Sequence, residues 1–200
     1  MAMGEFALSK QHLEEPLVDS DVSPGYFNPA AENDLYDLMA VGEFALIKRH
    51  LEEALAGPDV SPSYINPAAD HDFYSLLVDV AALQEDAETL SKMAPLAEAS
   101  AVDSDHILYL AIAHRAFGVL HRLDGNYQPS EERLRKAMDL FNQLETRWQI
   151  GRTLFELGKL AREQDDNGLA QDYFHSATEN FEALGALPDA ARVKAVLSRM

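Results

Sequence analysis

The chain has 200 residues, of which 47% are hydrophobic, enough for a packed core and too many for a disordered chain. It has no cysteine, so disulfides, thiolate metal sites and cysteine nucleophiles are excluded. Its 16 basic and 34 acidic residues leave a formal net charge of -18, a surface that repels phosphate backbones and argues against nucleic acid as a partner.

In chain order, apolar spacing and stop signals predict helices near 4–15, 30–41, 43–56, 68–83 and 85–100. Pro95 is expected to kink or break the last of these. Further helices are predicted over about 104–123, from Pro129 to about Leu144, and over 147–164, 169–184 and 188–199. Asp124-Gly125-Asn126, Asp165-Asp166-Asn167-Gly168 and Gly185 mark the stops. No β pattern emerges. No apolar run approaches the roughly 18–20 residues of a membrane span. The N-terminus lacks the basic-then-apolar pattern of a secretory signal. A cytoplasmic location is expected.

Self-similarity organises these helices. Residues 4–39 and 42–77 match at an offset of 38 without a gap, with 23 of 36 positions identical. So close a pair points to a recent or engineered duplication. Each copy carries a Pro-rich connection, about 19–29 and 57–67, read as a spacer that packs its own tyrosine (Tyr26, Tyr64). Pro16 stands where Ala54 stands, which handicaps the first copy. A weaker period of 40 runs through the C-terminal half. It pairs Phe117-Gly118 with Leu157-Gly158, Ala137 with Ala177 and Phe141 with Phe181.

These positions resemble the tetratricopeptide repeat family. Residues 111–145 show Phe117-Gly118, the turn Gly125-Asn126-Tyr127, then Ser130, Leu134 and Ala137. Residues 151–185 show Leu157-Gly158, the turn Asp165-Asp166-Asn167, then Ala170, Phe174 and Ala177. Gly42-Glu43-Phe44 with Leu51 and Ala54 looks like half of another unit, and residues 71–101 are a degenerate one with Val78 in the glycine position. The 38–40-residue spacing is longer than the family's usual 34. The resemblance implies an all-α, right-handed superhelical solenoid over 1–200, with a terminal capping helix at 188–200. It also implies a scaffold that binds proteins or peptides. Gly118 and Gly158 then let paired helices approach, and Ala137 and Ala177 let neighbouring repeats do so.

Catalytic and metal chemistry find little support. His114 and His121 share a helix face that packs inward in the repeat register. Asp70-His71-Asp72 and the acids beside His106 read as helix-start chemistry, and His12, His50 and His175 stand apart. No phosphate-cradling glycine loop or nucleophile elbow is present. The expectation is a protein without enzymatic activity, cofactor or metal.

Charge is more informative. Residues 1–100 hold 4 basic and 19 acidic residues, and residues 101–200 hold 12 and 15. In the family register the first helix of each pair lines the concave face. That register places Arg115, Arg122, Arg152, Lys159, Arg162, Arg192 and Arg199 there, unless pairing with neighbours such as Glu156 and Glu163 leaves the groove electrically neutral. A basic groove suits an acidic segment or the free carboxyl terminus of a partner. The acidic half of a second copy would suit it too. The alternative is a structural or engineered repeat protein, whose duplicated segment extends the solenoid or exchanges with its copy.

Overall fold

The computed structural model describes Arg49 and residues 67–200. Apart from Arg49 and residues 67–77, the duplicated segments lie outside the described residues, and with them the helices expected near 4–15, 30–41 and 43–56 and the Pro-rich connections. Seven helices follow in order among the described residues, with no strand: α1 (Pro67–Gln84), α2 (Ala87–Asp103), α3 (Ile107–Leu123), α4 (Tyr127–Gln143), α5 (Arg147–Glu163), α6 (Asn167–Ala183) and α7 (Leu187–Leu197). Consecutive helices pack on one another, as antiparallel pairs joined by short turns must. The architecture is a tetratricopeptide-like helical solenoid.

A ruler of 20 residues sets the spacing. Helices α2 to α6 each have 17 residues. The turns place Glu85, Asp105, Gly125, Glu145, Asp165 and Gly185 at positive φ, between 52° and 74°. After each, a backbone N–H reaches back five residues, as Asn126 does to the His121 carbonyl at 2.8 Å and Ala186 to the Phe181 carbonyl at 2.9 Å. This 6→1 bond satisfies carbonyls that a helix end leaves open. Glycine takes the left-handed position without strain, yet only two of the six turns use it. Identical turns therefore come from a repeated geometry more than from repeated residues.

Two predicted boundaries need correction. The stretch Asp165-Asp166-Asn167-Gly168 does not wholly lie in a turn. The Asp166 side chain accepts from the Leu169 N–H at 3.0 Å, capping α6 so that Asn167 and Gly168 are its first residues. Pro95 does not break its helix, for α2 runs through it. Pro95 and Ser91 are both exposed, so the carbonyl that loses its donor faces water, while Ala94, Ala97 and Ala101 hold the buried face.

The core lies between the two layers. Leu90, Ala94 and Ala97 of α2 meet Ala111, Ala113, Ala116 and Val119 of α3, and Ala137 and Phe141 of α4 join them. Phe155, Phe174, Ala177, Phe181 and Val193 form the C-terminal cluster. Helix approach is closest at the glycines. A Cβ on Gly118 would sit 2.6 Å from the Leu134 side chain, and one on Gly158 would sit 2.5 Å from the Phe174 ring. Gly151, which sequence periodicity did not single out, meets Phe181 in the same way at 2.9 Å. Ser130 is fully buried and donates to the Gly118 carbonyl at 2.7 Å, closing the α3–α4 pair with a hydrogen bond. Ala137 and Ala177 are fully buried.

Gly158→Ala should cost about 1–3 kcal/mol by overpacking against a ring that cannot retreat. Gly168→Ala, whose Cβ would meet only Asp166 at 3.8 Å, should leave stability unchanged or raise it by about 0.5–1 kcal/mol. Urea unfolding of the two variants checks both signs.

Candidate binding groove

Alternate helices α1, α3, α5 and α7 form one layer, and their facing side chains are charged. The ladder starts from an acid. Asp79 lies in the apolar stretch Leu76–Ala82 of α1 and is 4% exposed. Its carboxylate takes Arg115 of α3 at 2.7 Å on one oxygen and Arg152 of α5 at 2.5 Å on the other. A single side chain thus ties three inner helices. Arg115 is 1% exposed, donates also to Gln149 and lies 4.9 Å from the Phe141 ring centre. Arg152 stacks on Trp148 at 4.8 Å.

A second rung stands one to two helical turns further on. Glu85 accepts from Arg122 at 2.6 Å and Lys159 at 2.9 Å. Glu156, itself buried, accepts from Lys159 at 2.7 Å, and Glu163 bonds Arg122. The third rung is Asp189 of α7, which binds Arg192 at 3.0 Å and takes the Trp148 indole N–H at 3.0 Å. Five carboxylates (Asp79, Glu85, Glu156, Glu163, Asp189) face five cations (Arg115, Arg122, Arg152, Lys159, Arg192), so the ladder as a whole is neutral.

Burial works against every one of these charges, and the neighbours decide the outcome. Burial alone would raise the Asp79 carboxyl, but Arg115 and Arg152 hold it below its ordinary value. The same contest at Glu85 is won by Lys159 and Arg122, which pull it down to about 2. Arg122 is raised, because Glu156, Glu85 and Glu163 outweigh its burial. Arg115 goes the other way, to about 10, because burial and nearby Arg152 outweigh the help from Asp79. Arg192 is lowered too, chiefly by burial and with a contribution from Arg152. Arg115, Arg152 and Arg192 thus converge with the acids Asp79, Glu156 and Asp189 beside them.

They converge on a crevice. A partly open space of about 330 Å³, counted to its mouth in solvent, is lined by Arg115, Arg152 and Arg192 together with Glu156, Asp189 and Phe155 among others. The Nε–H groups of Arg115, Arg122 and Arg152 are buried without an acceptor, and Glu156 Oε2 is buried without a donor. Of the seven basic residues expected on the concave face, five meet in the ladder and its crevice. Arg162 is half-buried in the last turn of α5, and Arg199 is exposed beyond α7. The acids Asp79, Glu85 and Asp189 were missed by sequence reasoning. A lone acid inside Leu-Leu-Val-Asp-Val-Ala-Ala was the available signal for Asp79, since an acid there needs a buried cation.

Neither His114 nor His121 takes part in the ladder. His114 Nδ1 lies 2.8 Å from an Arg133 nitrogen that also bonds Glu98, and burial lowers its pKa. His121 stacks on Phe117. Among the described residues no group of three or more His, Cys, Asp or Glu could hold a metal ion. Nor is any described helix long and apolar enough to cross a membrane.

Asp79→Asn should destabilise the fold by about 3–5 kcal/mol, because it strands two buried guanidinium groups. Glu85→Gln, at a site 43% exposed, should cost distinctly less. The lowered Glu85 carboxyl stabilises the fold fully above its ordinary value of 4.5, and that contribution is lost as pH falls from 4.5 towards about 2. Urea midpoints between pH 7 and 2 should therefore fall less steeply in Glu85→Gln than in the parent protein.

A comparison with curated proteins returned no match. A family model described as tetratricopeptide repeat matches residues 108–183, the span from the first turn of α3 to the end of α6. Match and geometry coincide: the glycines, the small buried positions and the alternating helix layers fall where such repeats need them. Residues 108–183, carried by α3, α4, α5 and α6, are similar to tetratricopeptide repeats in both sequence and helix packing.

Proposed function

We propose that this protein is a non-enzymatic scaffold whose concave face takes an acidic segment of a protein partner at the crevice between α3, α5 and α7. Tetratricopeptide repeats are in general protein–protein interaction modules, which supports the scaffold reading. The observation on which the acidic preference rests is the meeting of Arg115, Arg152 and Arg192 around one opening, beside the acids Glu156 and Asp189, with the Nε–H groups of Arg115 and Arg152 unanswered. A carboxylate entering there would gain charge-assisted hydrogen bonds. Phe155, Phe181 and Val193 line the same opening and offer an apolar wall for the stem of the entering residue.

The seven basic residues then divide by task. Arg115, Arg122, Arg152 and Lys159 are buried in the ladder and hold the groove's shape, and Arg115 and Arg152 also present an edge to the crevice. Arg192 stands at its mouth, while Arg162 and Arg199 contribute longer-range attraction. Exchange between the two duplicated segments, or docking of the acidic half of a second copy, is less well supported. Carried on at the same offset of 38, the first copy would place Val41 and Ile47 where Asp79 and Glu85 stand. An exchanged segment would bring no acid to the ladder.

A fluorescein-labelled peptide of Glu and Leu should bind the full-length protein, and anisotropy should show Arg192→Glu weakening it roughly tenfold or more. Arg147→Glu makes the same charge change at an exposed site on the first residue of α5 and should shift affinity less than about twofold. No binding to the parent protein, or equal losses in both variants, would defeat the acidic-segment reading.

A further inference from the structure

A second surface lies on the edge of the solenoid. Helices alternate in direction, so every second turn returns to the same edge. The turns α1–α2, α3–α4 and α5–α6 share one edge, and α2–α3, α4–α5 and α6–α7 share the other. The first edge is polar, with Glu85-Asp86, Asp124-Gly125-Asn126 and Asp165-Asp166 in its turns. The second is not. Val102 (63% exposed), Ile107 (45%), Leu144 (37%), Leu184 (47%) and Leu187 (67%) all stand at its three turns.

Single exposed apolar residues need no explanation, but this set is organised. Leu144 and Leu184 are 40 residues apart and hold equivalent places in successive repeats, while Ile107 and Leu187 are 80 apart, two repeats, with Arg147 in the place between them. Among the described residues the large exposed apolar side chains towards the opposite edge are Leu169, in α6, and the C-terminal Met200. Acids flank the strip: Asp103, Asp105 and Glu145 lie in its turns, and Asp139 and Glu179 one turn before the ends of α4 and α6, all exposed. Against them stand Arg147 and Lys194, and Lys194 is paired with Glu182 at 2.5 Å.

We infer that this edge is a docking strip for a basic amphipathic helix of a partner protein. The apolar face of such a helix would lie across Val102, Ile107, Leu144, Leu184 and Leu187 through anchors at i, i+3/i+4 and i+7. Its lysines and arginines would meet the flanking acids. Charge complementarity selects this occupant. An anionic lipid surface meets like charge here, and a second copy brings another net charge of -18. The strip is separate from the concave crevice, so the two surfaces can be occupied independently and by chemically opposite segments.

The test uses the full-length protein and two labelled helical peptides of equal charge, one of Leu and Lys in amphipathic spacing and one with Ser in place of each Leu. The Leu/Lys peptide should bind at least about tenfold more tightly than the Ser/Lys peptide. Leu184→Ser with Leu187→Ser should reduce its affinity about tenfold, and Leu169→Ser should leave it unchanged. All three sites are exposed, and circular dichroism melts check that the variants fold. Equal affinity for the two peptides, or an equal loss in Leu169→Ser, would overturn the proposal by reducing it to bulk charge. So would a light-scattering dimer that the Leu184→Ser, Leu187→Ser double variant turns to monomer, since the strip would then be covered by a second copy.

Discussion

The carboxylate of Asp79 sits between two guanidinium groups that reach it from two other helices. Most of the inner layer depends on that arrangement. A buried ion pair contributes little net stability, because desolvation offsets its attraction, but it penalises any packing that separates the partners. Apolar contacts alone would let α1 slide or rotate against α3, because residues 75–82 of α1 are buried on every side and no apolar stripe fixes their orientation. Asp79 supplies the missing register. Only one rotation and one height of α1 bring its two oxygens to Arg115 and Arg152 together.

The ladder also explains a solenoid whose inner face is charged and yet buried. Long cationic side chains span the space between helices, and each lies on a ring as well as on a carboxylate: Arg115 on Phe141, Arg152 on Trp148, Lys159 on Phe155. The aromatic faces take up the aliphatic stems and part of the charge. The acids then have only the guanidinium and ammonium heads to answer.

Much of the frame was legible in the residues. Phe117-Gly118 and Leu157-Gly158 announced close helix approach, and Leu134 and Phe174 are the side chains that approach them. The turns at Gly125 and Gly185 were readable because glycine marks a left-handed position; those at Glu85, Asp105 and Glu145 carry no such mark. Pro95 misled because its effect depends on which way its ring faces, a tertiary fact. The basic stripe was visible from helical spacing. Its partners were not, since Asp79 and Glu85 lie 30 or more residues before the cations they bind, and no local pattern links positions across three helices. Pairing at Glu156 and Glu163 was foreseeable because those acids share α5 with two of the cations or lie one repeat away.

The division of the molecule into a sealed charged interior and an unsealed edge follows from the same repeat. Stacking buries what faces the next repeat and what faces the inner layer. The turns gain no cover from stacking, however many repeats are added. Residues at the turns are therefore released from the packing that fixes Gly118, Ala137 or Ala177, and polar residues are the default there. The α1–α2, α3–α4 and α5–α6 turns follow that default. The opposite edge departs from it at all three of its turns, in equivalent positions 40 or 80 residues apart. Fold stability cannot account for the departure, because these side chains remain in water in the folded protein. Their transfer out of water becomes favourable only when another surface covers them. In a protein whose interior charges are already balanced and whose net charge is -18, that surface has to be apolar on one side and positive beside it.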